Sequence, residues 1–548
     1  MKRSIRSLPH NTSGAVAATV GLSLFALIAV GGIAFDYSRL ASLDSELQDA
    51  ADQAALAAVS QLDQSSGAIQ RATAAAQSLL TNRTLMANDS NASGTAVTVP
   101  TVVFYTTKAD AEANTNGFTA VGSFAQAHFV RVAVAARKAF YALTPVVGAF
   151  NSGDISAEAV AGLGTAICKV PPAMICNPDE PNDFDANALA GDGLRLVAVG
   201  NGSGAWAPGN FGYLDTGSST SNPNVELRQA LGWLTAPGDC SGLDGVQTRT
   251  GAGTSAVPAL NTRFDIYEKV TGGGIADSCP AGGSCPPSIN TTKDAVRKAA
   301  PGSASKCDYP RNNEWEAPTK PYLPTSPTAD LNLSVPANVP DSMGHPRDKC
   351  HAVSINGSCT YNGGSQTKIG NGAWDRNAYF FVNYGWTSAQ WPTNIATGSG
   401  PITTSTPSRY QVYLWEIANR GTTVGGKVIL PTTGRSYGSG GNARIDYDQP
   451  QCSQLQPYGS GVVPGGANVD RRRISTAVLN CTANNVHGGG GTVYPVLKWI
   501  ELFLVEPSLQ RTNTDKNDIY VEIIGETKVG GSGTVGQVIR RDVPYLIK

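Results

Sequence analysis

The chain has 548 residues, 41% of them hydrophobic and only 15% charged, with a formal net charge of −1. That length exceeds one ordinary domain, so two or three are expected. No basic excess exists to neutralise a phosphate backbone, so no nucleic-acid partner is expected, and abundant Gly (61) and Pro (33) predict many turns, short strands and long loops.

Residues 1–13 form a basic tail with Lys2, Arg3 and Arg6 and no acid. Ala15 to Phe35 carries no charge, and about 20 helical residues cover the ~30 Å hydrocarbon core of a bilayer. A transmembrane helix is therefore expected over 14–36, with the tail in the cytoplasm by the positive-inside rule. A cleaved signal peptide, cut near Ala29-Val30-Gly31 or Gly32-Ile33-Ala34, is the rival reading. The apolar run exceeds the usual ~7–15-residue signal core and the helical pattern runs on past Phe35, which favours an uncleaved anchor. Gly14 is a candidate processing site, although Thr19 stands where a pilin-type motif carries Glu.

Beyond the membrane come Asp36, Tyr37 and Arg39, with no helix breaker. Apolar residues then recur at Leu40, Leu43, Leu47, Ala50, Ala54 and Leu62 as a heptad-like stripe. Packing on its own domain is the first reading of this stripe; a thin Ala seam for a partner helix is the second, and the two are compatible. A second Ala-rich helical piece follows near Ala68–Leu80. The period then changes to that of strands at 95–100, 101–106 and 128–135. Helix first and sheet afterwards predicts an α+β domain over 37–165.

All ten cysteines lie in the remainder, 166–548, the first being Cys168. Their close spacings, Cys168/Cys176, Cys279/Cys285 and Cys350/Cys359, suit small disulfide loops in an oxidising compartment better than a zinc site. Proximity leaves Cys452/Cys481 and Cys240/Cys307 as the other pairs. This second domain is expected to be β-rich, with strands at 194–199, 473–481, 498–505, 518–524 and 537–547. One helix is expected at 225–234, strand or short helix at 378–384 and 410–417, and a Pro/Gly-rich loop or tether draped over the body at 278–348.

The basic tail, the GAVAATVGLSLFALIAVGGIAFDYSRL segment and the DAADQAALAA helix together resemble the N-terminus of TadG-like proteins of bacterial tight-adherence (Tad, or Flp) pilus systems. The likeness runs from Gly14 to about Gly164 and includes Asp36-Tyr37, Arg39 and SAEAVAGLG; CKVPPAMICNP, APGNFGYLD, DRRRISTAVLNC and WIELFLVEPS extend it less specifically. Many relatives carry a von Willebrand A domain with a metal-ligating DxSxS. Asp154-Ile-Ser-Ala-Glu158 and Asp215-Thr-Gly-Ser-Ser219 do not fit that motif, so neither domain nor metal is carried over.

Catalytic echoes are weak. Asp215-Thr-Gly has no second copy to make an aspartic-protease pair, and a tight turn is the better reading. Gly434-Arg-Ser436-Tyr-Gly438 matches G-x-S-x-G, with Asp446 and His487 in hydrolase order, but Gly-rich sequence follows where a helix is required. Gly200–Gly204 lacks the Lys-Ser/Thr of a phosphate loop. His345 and His351 flank Cys350 in what reads as a surface loop, and Asp470-Arg-Arg-Arg473 as a solvated or locally paired edge. Structural pairing of those arginines with Glu501, Glu506, Glu522 or Glu526 is conceivable.

The expectation is thus an α+β protein without catalytic, cofactor or metal residues. The resemblance implies a single-pass component of Tad pilus biogenesis in the bacterial inner membrane, bulk periplasmic, whose partners are other pilus-assembly proteins or pseudopilins. A membrane-tethered periplasmic binding module or enzyme, or an adhesin freed by signal cleavage, are the alternatives.

Overall fold

A computed structural model describes residues 12–547 except 63–65, 79–81, 92, 169–172, 200–204, 216–222, 236–240, 243–244, 252, 269–277, 300–306, 311–313, 362–363, 366–367, 453–459, 466–467, 489–491 and 528–538. The chain divides into two units, Met1–Thr165 with Asp542–Lys548, and Ala166–Arg541. The final segment therefore belongs with the first unit, not with the second domain in which a boundary drawn along the sequence had left it.

The first unit starts with one unbroken helix, α1 (Thr12–Val59). At 1.5 Å per residue its 48 residues extend about 70 Å. No Pro or β-branched cluster interrupts it at the membrane exit, so the apolar and amphipathic halves are continuous. Helix α2 (Ala68–Ser78) packs against its second half. Strands β1 (Thr101–Tyr105), β2 (Phe129–Ala133) and β3 (Glu158–Cys168) form an antiparallel sheet, with Val103 opposite Arg131 and Arg131 opposite Val160. The C-terminal strand Ile539–Leu546 adds to β3 at the sheet edge.

Period two sorts the side chains of this sheet. Val102, Phe104, Val130, Val132, Ala159 and Ala161 face the helices, while Val103, Tyr105, Phe129 and Val160 form a second cluster with Ala111 and Ile547.

The second unit is built on a closed six-stranded barrel. Its strands are β4 (Ala173–Cys176), β5 (Gly193–Ala198), β6 (Asn210–Tyr213), β7 (Arg473–Leu479), β8 (Lys498–Leu504) and β9 (Ile519–Glu526). They run in the order β7-β8-β9-β5-β6-β4, with parallel contacts at β5/β6 and at the β4/β7 closure. Closure leaves no free edge, and β7 and β8 are buried almost throughout because both faces are covered, Ser475, Thr476 and Glu501 included. Helix α3 (Pro223–Gly232) packs its Leu227 and Leu231 into the barrel core. Two further helices, α4 (Arg376–Tyr384) and α5 (Arg409–Ala418), resolve the ambiguous segments 378–384 and 410–417 as helical. Asp375 caps α4, and a Ser408/Gln411 capping box starts α5.

Four disulfides are described: Cys176–Cys481, Cys279–Cys285, Cys307–Cys452 and Cys350–Cys359. The proximity pairings 168/176, 452/481 and 240/307 are thereby corrected. Cys176 ends β4, which lies parallel to β7, and that brings Cys481 alongside it across 305 residues. Cys240 and the Cys168 side chain lie outside the described residues. The stretch 278–348 is likewise not a draped tether. Ser288, Asn290, Thr291, Thr292 and Lys293 are buried, and Trp315 is fully enclosed in the barrel-side core.

Candidate functional site

The anchor segment is the first candidate. From Val16 to Phe35 its large apolar side chains stand clear of the protein: Leu22 is 71% exposed, Leu27 70% and Val30 66%. The helix is long and apolar enough to cross a membrane. From Leu43 onward the pattern inverts. Leu43, Leu47, Ala50 and Ala54 are buried in the unit's own core, with Leu40 packed at its margin. The seam therefore serves α2 and the sheet, not a partner helix: small Ala side chains let those elements approach closely, and that use covers the stripe.

Asp36 marks the changeover. Its side chain is buried and accepts from the backbone N–H groups of Ala142 (2.8 Å), Leu143 (2.9 Å) and Thr144 (2.7 Å), and from Thr144 Oγ1 (2.6 Å). These donors open a 3₁₀ turn, Thr144–Val147, so the carboxylate acts as an N-cap supplied from another element. Gly32, one turn earlier, lies under Leu143: a Cβ there would be 3.0 Å from the Leu143 Cβ. Tyr37 is 70% exposed, and the Arg39 guanidinium lies 5.9 Å from the Phe35 ring centre. Gly14 falls in the first turn of α1.

The second unit holds a cavity of about 760 Å³ lined by Asp192, Asn371, Arg376, Ser408, Tyr410 and Glu522 among others. Beneath it runs a buried charge relay. Asp348 accepts from the backbone N–H of Gly193 (3.0 Å), Asn371 (2.7 Å) and Gly372 (2.9 Å) and pairs with Arg409 at 2.6 Å. Gly370 makes room for this carboxylate, since a Cβ there would collide with it. Arg409 also pairs with Glu522 at 2.8 Å, and Glu522 accepts the first N–H groups of α5, those of Arg409 and Tyr410.

Burial alone raises the Asp348 carboxyl, but Arg409 and the backbone donors outweigh it and hold the group below the usual range. Asp192, in the cavity wall, feels the Arg409 charge too, but not enough of it to offset its surroundings. Burial and the Asp348 charge push it up to about 6. The site thus places Asp192, a carboxyl of raised proton affinity, in one wall with Arg376, whose donors go to the carbonyls of Pro407, Gly372 and Trp374. No sequence motif pointed to this cavity; its one legible signal is the Ser408-Arg-Tyr-Gln411 capping box at its rim.

The structure does not assemble the earlier catalytic echoes. Ser436 is exposed on a strand paired with Ile445, in a sheet that leads to a short 3₁₀ turn rather than the helix an elbow needs. Asp446 pairs with Arg435, and His487 contacts the Asn485 carbonyl and Tyr494 in a different sheet region. Asp215 is exposed and its N–H donates to the Gln247 carbonyl (2.8 Å), while Thr216–Ser219 and Gly200–Gly204 lie outside the described residues.

Two surface readings are corrected. His345 and His351 are buried: His345 stacks on Tyr379 at 4.7 Å and faces Glu416 at 3.5 Å, and His351 lies against Tyr520. Arg471 and Arg472 are also fully buried. Arg471 binds the carbonyls of Pro286, Trp233 and Gly232, and Arg472 those of Leu504 and Val505 between the rings of Phe264 and Phe503. Of the expected arginine–glutamate pairs, Arg473–Glu501 is present at 3.0 Å. Glu506 pairs instead with Arg347 and Arg511, and Glu522 with Arg409. Glu526 is exposed at the end of β9.

Residues 14–61 match a family model, Tad, described as "Putative Flp pilus-assembly TadE/G-like". The N-terminal helix is a TadE/G-like segment. The match begins at Gly14 and ends just past α1, so the TadE/G-like segment includes both the exposed apolar half and the buried Ala-rich half. No curated protein and no solved structure matches the chain.

Proposed function

We propose that this chain is a structural component of Tad (Flp) pilus assembly, held in the bacterial inner membrane by α1, with residues 1–13 in the cytoplasm and both folded units in the periplasm. The observation that carries this reading is the coincidence of the TadE/G-like match with a helix whose first half is apolar and exposed and whose second half is the core of its own unit. Four described disulfides support an oxidising compartment. Partners are other pilus-assembly proteins or pseudopilins. Deleting the gene should abolish or impair surface pili and adherence; normal pili and adherence sink the reading. Protease added to spheroplasts should digest the folded units and spare the tail.

The cavity favours a second reading, a periplasmic binding module with Asp192 facing its ligand. Under this reading Asp192→Asn impairs the phenotype without loss of folded protein, whereas a phenotype unchanged by that variant leaves the structural role alone.

A further inference from the structure

The apolar residues of the anchor are not the only ones without protein cover in the first unit. Between Lys138 and Asp154 no residue is charged. Within that stretch Phe140, Leu143, Val146, Val147 and Phe150 are each 45–66% exposed. Clustered exposed apolar side chains of this kind mark an interaction surface. The loop is nevertheless well ordered by hydrogen bonds. Phe140 bridges to Asn151, Tyr141 N–H donates to the Phe150 carbonyl (3.0 Å), and Phe140 N–H donates to the Ala87 carbonyl (2.8 Å).

We propose that the loop 140–150 is a second membrane-contacting element, seated in the same leaflet from which α1 emerges. The proposal rests on the reading that α1 spans the bilayer. Three observations fix lipid as the occupant. First, depth: Leu143 lies against Gly32, four residues before Asp36, which is about 6 Å further into the apolar half of α1. A side chain packed on that level of the span shares its surroundings, so this surface continues the lipid-facing surface of the helix.

Second, the backbone: an unsatisfied N–H is costly in hydrocarbon, and the free N–H groups of the 3₁₀ turn are those that Asp36 takes up. Third, the flanks: exposed Tyr37 on α1 is an aromatic residue that suits a headgroup layer, and the pair Lys138–Asp154 (3.8 Å) brackets the uncharged loop with charges of opposite sign. In this arrangement Asp36 holds an apolar loop at the membrane surface beside the anchor.

The test uses the full chain in phosphatidylethanolamine/phosphatidylglycerol vesicles with an environment-sensitive fluorophore on single introduced cysteines. The sites are Leu27→Cys in the span, Val147→Cys at the loop tip and Ala113→Cys as an exposed control, with the unmutated chain setting the labelling background. The label at 147 should be blue-shifted and quenched by spin-labelled lipid to at least half the extent seen at 27, while that at 113 stays unquenched. Quenching at 27 with 147 behaving like 113 overturns the proposal and leaves the anchor standing. A blue-shifted but unquenched label at 147 means that protein covers the loop, and also overturns it. Absence of quenching at both sites overturns the anchor reading and this one with it. Phe150→Cys repeats the measurement should Val147→Cys misfold.

Discussion

Replacing Asp36 by Ala isolates the link between the anchor helix and the loop it caps. The carboxylate receives four hydrogen bonds of 2.6–2.9 Å, two of them from Thr144 in a buried setting. Hydrogen bonds to a charged group contribute about 1.5–3 kcal/mol each, and the donors of Ala142 and Leu143, less enclosed, recover part of theirs by bonding water. Counting only the two Thr144 contacts gives about 3 kcal/mol at the low end, roughly a hundredfold in a local opening equilibrium. Hydrogen exchange with mass spectrometry in nanodiscs reads this directly. Peptides covering 139–150 should exchange about a hundredfold faster in Asp36→Ala, while those over β2 keep their protection. Asp36→Asn keeps one acceptor oxygen and should lie between. Unchanged protection over 139–150 in Asp36→Ala refutes the claim that the carboxylate organises the loop.

Burial holds His345 down to about 4, more than the Glu416 carboxylate can offset. Its folded value lies below its unfolded value near 6.5, so its stabilising contribution is present above pH 6.5 and is lost as pH falls from there towards 4. Between pH 7 and pH 5, His345→Gln should therefore lose about 2 kcal/mol less stability than the parent in urea titrations. The comparison must be made as a difference, because Asp192 and Asp265, both raised to about 6 by burial, gain stability on acidification. Arg472→Ala orphans the Leu504 and Val505 carbonyls and opens a hole between Phe264 and Phe503, at a cost of about 3 kcal/mol or more in urea midpoint, and Arg472→Lys should recover little because one ammonium cannot reproduce the fork. Cys176→Ser with Cys481→Ser frees a 305-residue loop and should cost about 5 kcal/mol, measured against the oxidised parent.

What the sequence made legible was local. The apolar run of α1 and its Ala stripe declare themselves by length and period, and the long barrel strands by their high content of β-branched, aromatic and leucine residues. Features settled at long range did not. Asp36 is recognisable as a charge at a membrane exit, but its partners lie 106 to 108 residues away. The disulfide loops of six and nine residues follow from proximity, whereas Cys176–Cys481 needs the parallel closure of the barrel. The Arg471-Arg472 pair reads as solvated because buried guanidinium groups are expected beside carboxylates. Here they bind carbonyl oxygens, which every sequence position has and none advertises. The Pro/Gly-rich stretch from Ser278 misled for a related reason. Such composition marks turns but not depth, and Asn290 is buried through its side-chain bond to Glu416.

The loop at 140–150 changes what the anchor can do mechanically. A lone spanning helix is set in the bilayer only by its length and its interfacial residues, and it is free to tilt by about 20° and to turn about its own axis. The Ala-rich half of α1 cannot restrain that motion through a partner, because its stripe is already covered by α2 and the sheet. A second lipid contact restrains the tilt: it lies off the helix axis, at the level of Gly32, and is joined to α1 through Asp36. Tilting α1 away from the loop would lift Phe150 and Val147 out of the interface, and at about 25 cal/mol per Å² of apolar surface re-exposed to water that motion is opposed. A second contact therefore selects among tilts, and so sets the inclination of the sheet β1–β3 to the membrane plane.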